Sequence, residues 1–88
     1  MVQADLTRKI VDMACEINRA FNEGRTGYCV AVNIFFWRVT VDIYSRSDVQ
    51  SFLIQYEGDT APATGAHSTF GEVERALKEI CMCRITKI

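Results

Sequence analysis

The stretch from Tyr28 to Tyr44 constrains the fold most, because it lacks Gly and Pro and its apolar alternation changes phase partway. Val30, Val32, Ile34 and Phe36 set a stripe on even numbers, and Trp37, Val39, Val41 and Ile43 continue it on odd numbers. Successive side chains of a strand point to opposite faces, so a slip of one residue carries the apolar set to the other face. As one straight strand the stretch would run roughly 55 Å at about 3.3 Å per residue. A domain of this length is only about 30–35 Å across, for a gyration radius near 12 Å. The segment therefore bends sharply or divides in two. A tight hairpin within Asn33–Trp37 would set aromatic residues in a turn, against ordinary turn chemistry. The sequence thus favours one bent strand region over about residues 28–45, with a bulge near Phe35–Trp37.

Ser45-Arg46-Ser47-Asp48 is the clear turn, leading into a strand over about residues 49–57. With Tyr44 opposite Val49, Val41 faces Phe52, Val39 faces Ile54 and Trp37 faces Tyr56, while Asp42/Ser51, Thr40/Leu53 and Arg38/Gln55 share the other face. A slip of one residue would oppose Val41 to Ser51 and mix the faces, so the apolar match selects the first register.

Leu6, Ile10, Met13, Ile17 and Phe21 recur at three- and four-residue steps, with Ala14 and Ala20 beside them. That is one face of an amphipathic helix over about residues 4–23. Gly24 follows the last periodic residue and suits a left-handed cap. Thr69-Phe-Gly-Glu72 is a capping-box pattern opening a second helix over about residues 70–82, which buries Phe70, Val73, Leu77 and Ile80. Between them, residues 58–68 have the small and polar composition of a loop. The expected fold is a single α+β domain over residues 1–88: helix, antiparallel strands, helix, with both helices on one face of a small sheet. The opposite face is left without an obvious cover.

Ten basic and eleven acidic residues leave a net charge of −1. A nucleic-acid binder usually carries a basic balance or a basic face, because phosphate neutralisation dominates its affinity. No apolar run approaches the roughly 20 residues needed to cross a bilayer. The first residues lack the basic-then-apolar order of a secretion signal, so the four cysteines read as reduced thiols of a cytoplasmic protein.

Cys81-Met-Cys83 with Cys29, Cys15 and His67 invites a zinc reading. Structural zinc sites usually offer two close-spaced pairs, and this chain has one, so core or surface thiols are the simpler reading and no cofactor is expected. His67 is the only histidine and sits in the loop segment, without the orienting third group that a Cys–His nucleophile needs. Residues 65–71 lead into a helix N-terminus but match neither a P-loop nor a dinucleotide fingerprint. The helix–sheet–helix order resembles double-stranded RNA-binding domains, whose last helix opens on a lysine cluster; here Phe70-Gly-Glu-Val-Glu74 stands in that place and would repel phosphates. RNA binding is therefore a minor alternative.

The remaining signal is aromatic. Adjacent Phe35 and Phe36 cannot both point inward on a regular strand, so one of them, with Ile34 and Val32 or with Leu53, is expected to form an apolar patch on the open face. The candidate binding residues are Phe35, Phe36, Arg38, Asp42, Leu53, Glu57 and Asp59, none of them catalytic. The Trp37-Arg-Val-Thr-Val-Asp-Ile-Tyr44 strand and the closing Thr69-Phe-Gly-Glu-Val-Glu-Arg-Ala-Leu77 helix resemble small phage- or prophage-encoded accessory proteins, some of which inhibit host defence systems, CRISPR effectors included. The resemblance implies a non-enzymatic protein-binding role toward a host protein, with Asp42, Glu57 and Asp59 imitating phosphates toward a basic groove. The alternative is a structural or assembly protein that forms a homodimer through the open sheet face.

Overall fold

A computed structural model describes residues 4–35, 38–55 and 69–87. Its elements run α1 (Ala4–Asn22), β1 (Cys29–Ile34), β2 (Arg38–Tyr44), β3 (Val49–Gln55) and α2 (Phe70–Cys83). The strands form one antiparallel sheet in the order β1-β2-β3, and the helices pack on one of its faces. This is a small α+β fold.

The expected bent strand is two strands. Val30 stands opposite Ile43, Val32 opposite Val41 and Ile34 opposite Val39, so the chain reverses between Phe35 and Arg38, where the Phe35 N–H donates to the Arg38 carbonyl at 2.8 Å. The change of phase has a simple origin. An antiparallel ladder that pairs even-numbered with odd-numbered residues puts both stripes on one face. No bulge is needed. The β2–β3 ladder takes the register selected by the apolar match, with Val39 opposite Ile54, Val41 opposite Phe52 and Tyr44 opposite Val49. The proposed Trp37–Tyr56 pair lies outside the described residues.

Beneath the helices, Val30, Val39, Val41, Ile43 and Ile54 are buried, as are Ile10, Ala14 and Ile17 of α1 and Val73, Leu77 and Ile80 of α2. Complete burial of each larger side chain contributes about 1.5–3 kcal/mol. The α1 stripe differs from expectation at its ends: Thr7 is buried, Leu6 is half-buried, and Phe21 is 44% exposed. A helical face drifts around the axis over five turns, so its terminal positions leave the line of contact.

Both helices end as their sequences direct. Gly24 adopts φ 73°, and the Arg25 and Gly24 N–H groups donate to the carbonyls of Ala20 (2.8 Å) and Phe21 (3.0 Å), the paired bonds of a Schellman cap. At the start of α2 the Glu72 N–H donates to Thr69 Oγ1 (3.1 Å) while the Thr69 N–H donates to Glu72 Oε1 (3.2 Å). After α2, the Thr86 N–H donates to the Arg25 carbonyl at 2.7 Å, and Ile85 packs against the core. The last residues are thereby tied to the loop that follows α1.

Candidate functional site

The ladder registers decide which side chains share the face turned away from the helices. In successive rows they are Cys29, Tyr44 and Val49; Ala31, Asp42 and Ser51; Asn33, Thr40 and Leu53; then Phe35 and Arg38 at the β1–β2 turn. Among the described residues, no helix covers this face. Four candidates from the sequence (Phe35, Arg38, Asp42 and Leu53) come together on it. Phe36, Glu57 and Asp59 lie outside the described residues, as do His67 and the 58–68 segment.

Part of the expected patch is elsewhere. Val32 and Ile34 stand opposite Val41 and Val39, on the helix side, because the hairpin restores them to the phase of the core. Ile34, at the strand end, is nevertheless 55% exposed. Phe35 lies on the open face, 41% exposed, at the opposite end from Tyr44. The Arg38 guanidinium carbon sits 4.7 Å from its ring centroid, within cation–π range. Arg38 Nε is buried without a hydrogen-bond partner among the described residues.

Asp42 lies two positions further along the same face, roughly 13 Å from Arg38 at about 3.3 Å per residue. The two do not neutralise each other. The ion pair found among the described residues is Arg25 Nη2 with Glu23 Oε1 at 2.6 Å, far from this face in sequence. Among the described residues the face thus carries Arg38 and Asp42, with polar Asn33 and Thr40 in the row between them, Ser51 opposite Asp42, and Leu53 half-buried at the side.

Sequence reasoning passed over Tyr44 and Val49 as site residues. They are cross-strand partners on the open face, and Val49 is 52% exposed. The signal was available: the same register that sets Asp42 beside Ser51 sets Tyr44 beside Val49, on the same side of the sheet.

Other chemistry is sparse. Cys15 and Cys83 are exposed, and Cys29 and Cys81 half-buried, all as free thiols. No group of three or more His, Cys, Asp or Glu among the described residues is arranged to hold a metal ion. Burial pushes the Cys81 thiol up to about 11, helped by the charge of Glu16 and a hydrogen bond to it; this thiol is poorly nucleophilic at neutral pH. A depression lined by Tyr28, Ile43, Ser45, Asp48 and Gln50 holds about 150 Å³, below the roughly 300 Å³ at which ligand pockets begin. No described helix is long and apolar enough to cross a membrane.

No family model matches the chain, and no characterised protein or solved structure is significantly similar to it.

Proposed function

We propose that this protein is a non-enzymatic binding module that docks the open face of its sheet onto another protein. The observation that carries this reading is the Phe35–Arg38 stack: an exposed aromatic ring with a guanidinium held 4.7 Å from its centroid. Aromatic residues and Arg are the types in which interface binding energy concentrates. Stacking on Phe35 also limits the rotamers of Arg38 before any partner arrives, which lowers the entropy lost on association. Leu53, Thr40 and Asn33 beside the stack supply a half-apolar surround. One cation and one anion on the described part of the face suit a protein surface better than a phosphate backbone, which rewards several cations.

In its finer form, drawn from the resemblance to phage accessory proteins, the partner is a host defence or nucleic-acid-handling protein. Asp42 then meets a basic groove in place of a phosphate.

The test is affinity capture from cells with quantitative mass spectrometry, comparing the wild-type protein with Phe35→Asp, Arg38→Glu and Leu53→Asp variants whose folding is verified by circular dichroism. A partner retained by the wild type and lost by all three supports the reading. Equal recovery with all four proteins overturns it, as does a stable homodimer that buries this face.

A further inference from the structure

The two edges of the sheet are unequal. Backbone N–H and C=O groups along a strand of an antiparallel pair point alternately toward the neighbour and away from it. The Phe35–Arg38 and Ser45–Asp48 bonds set this alternation. Val30, Val32 and Ile34 of β1 therefore turn their main-chain groups outward on one edge, as do Val49, Ser51, Leu53 and Gln55 of β3 on the other. On the β1 edge α1 intervenes: the Asn18 carboxamide bonds both main-chain groups of Val30, so an incoming strand would have to displace a helix. On the β3 edge Asp48 Oδ1 takes the Val49 N–H at 2.9 Å. Ser51 and Leu53 have no main-chain partner on that side among the described residues.

Natural sheets protect such an edge with Lys, Pro, a bulge or a very short strand. β3 has none of these. Its sequence, Val-Gln-Ser-Phe-Leu-Ile-Gln, is uncharged and free of Pro and Gly, and its ladder to β2 runs without a bulge along the whole strand.

We propose that β3 is a self-pairing edge, joining a second copy of this chain antiparallel across a two-fold axis into one continuous six-stranded sheet. Charge identifies the occupant. An uncharged strand meets its own copy without like-charge repulsion, and offers nothing to steer a charged peptide into place. The register follows from which groups are open. Ser51 and Leu53 are the outward pair without a main-chain partner among the described residues, and they satisfy one another when Ser51 of each copy lies opposite Leu53 of the other. Phe52 then meets Phe52 of the second copy on the helix side, in the closely spaced type of pair where aromatic side chains interact best. The arrangement places two open faces side by side, yet it does not depend on what those faces bind.

Sedimentation equilibrium on the full chain tests it with two double variants. Ser51→Lys with Leu53→Lys sets like charges opposite one another across the axis; Ser51→Lys with Leu53→Glu sets opposite charges there. Both alter the open face, where side chains are exposed or half-buried, and thermal unfolding verifies that each folds. The expected result is a wild-type dimer, a dissociation constant raised tenfold or more in the Lys/Lys variant, and recovery of the dimer in the Lys/Glu variant. Phe35→Asp, which alters the face and not the edge, leaves the dimer intact. A monomeric wild type overturns the proposal, as does a dimer indifferent to both double variants or one abolished by Phe35→Asp. Partner capture by the face variants equal to that of the wild type, with the dimer intact, would instead count against the docking function.

Discussion

The carboxamide of Asn18 acts as a strand neighbour to Val30: its Nδ2–H donates to the Val30 carbonyl at 2.8 Å, and its Oδ1 accepts from the Val30 N–H at 2.7 Å. A peptide unit would make the same two bonds. The helix therefore closes part of the β1 edge with a single side chain, and the same contact fixes where α1 lies along the sheet. Side chains that imitate backbone in this way satisfy groups that would otherwise be left unpaired at a partly covered edge.

Replacing Asn18 by Ala removes both bonds. At about 1 kcal/mol each, the variant is expected to unfold about 2 kcal/mol more easily in urea. Asn18→Asp keeps the acceptor but turns a second oxygen toward the Val30 carbonyl, so it restores less than half of the loss. A change smaller than about 0.5 kcal/mol in the Ala variant would show that water replaces the amide without cost.

Gly24 is the one described residue with a positive φ, 73°, and a Cβ built there meets nothing within 4 Å. The cost of Gly24→Ala is therefore backbone strain alone, about 1 kcal/mol. Thermal denaturation of the pair measures it. A loss of about 3 kcal/mol or more would mean that packing, and not the dihedral, requires glycine.

Leu77 of α2 lies fully buried in the core that the helices and the sheet share, whereas Ile34 is more than half exposed on the helix side of the sheet. Leu77→Ala is expected to cost about 3 kcal/mol through lost burial and a residual cavity. Ile34→Ala is expected to cost below about 1 kcal/mol. Chemical denaturation of both distinguishes core from rim; comparable losses would contradict this division.

The Cys81 thiol, raised from 9.0 to about 11 by burial and then by Glu16, donates a long contact of 4.0 Å to the Met13 carbonyl. Alkylation by iodoacetamide at mildly alkaline pH, followed by mass spectrometry, is expected to label exposed Cys15 and Cys83 well before Cys81. Glu16→Gln removes a carboxylate and speeds labelling of Cys81. Because the folded thiol is harder to ionise than the unfolded one, its contribution to stability is complete below about pH 9 and declines as pH rises toward about 11. Labelling of all three thiols at one rate would show that Cys81 is not shielded.

The elements themselves were legible in the sequence wherever a local rule acted. The Thr69–Glu72 box and Gly24 mark helix ends because capping satisfies backbone groups within one turn of chain. The Ser45–Asp48 turn and its register were legible because sliding β3 by one residue would bury Ser51 and expose Phe52. Of the candidate site, Phe35, Arg38, Asp42 and Leu53 could be named from the strand alternation, since period two sorts faces without knowledge of the fold.

What the chain left open was how Tyr28–Tyr44 turns back on itself. A bulge and an even-to-odd hairpin shift the apolar phase identically, and Phe35–Arg38 has none of the Gly, Asn, Asp or Pro that usually marks a reversal. Only long-range pairing chose between them: folding back sets Val30, Val32 and Ile34 beside Ile43, Val41 and Val39 under one pair of helices. The tertiary structure likewise decided that Asn18 closes part of one edge while, among the described residues, Ser51 and Leu53 have no main-chain partner on the other. Main-chain partners are a property of neighbours in space, and local sequence does not encode who those neighbours are.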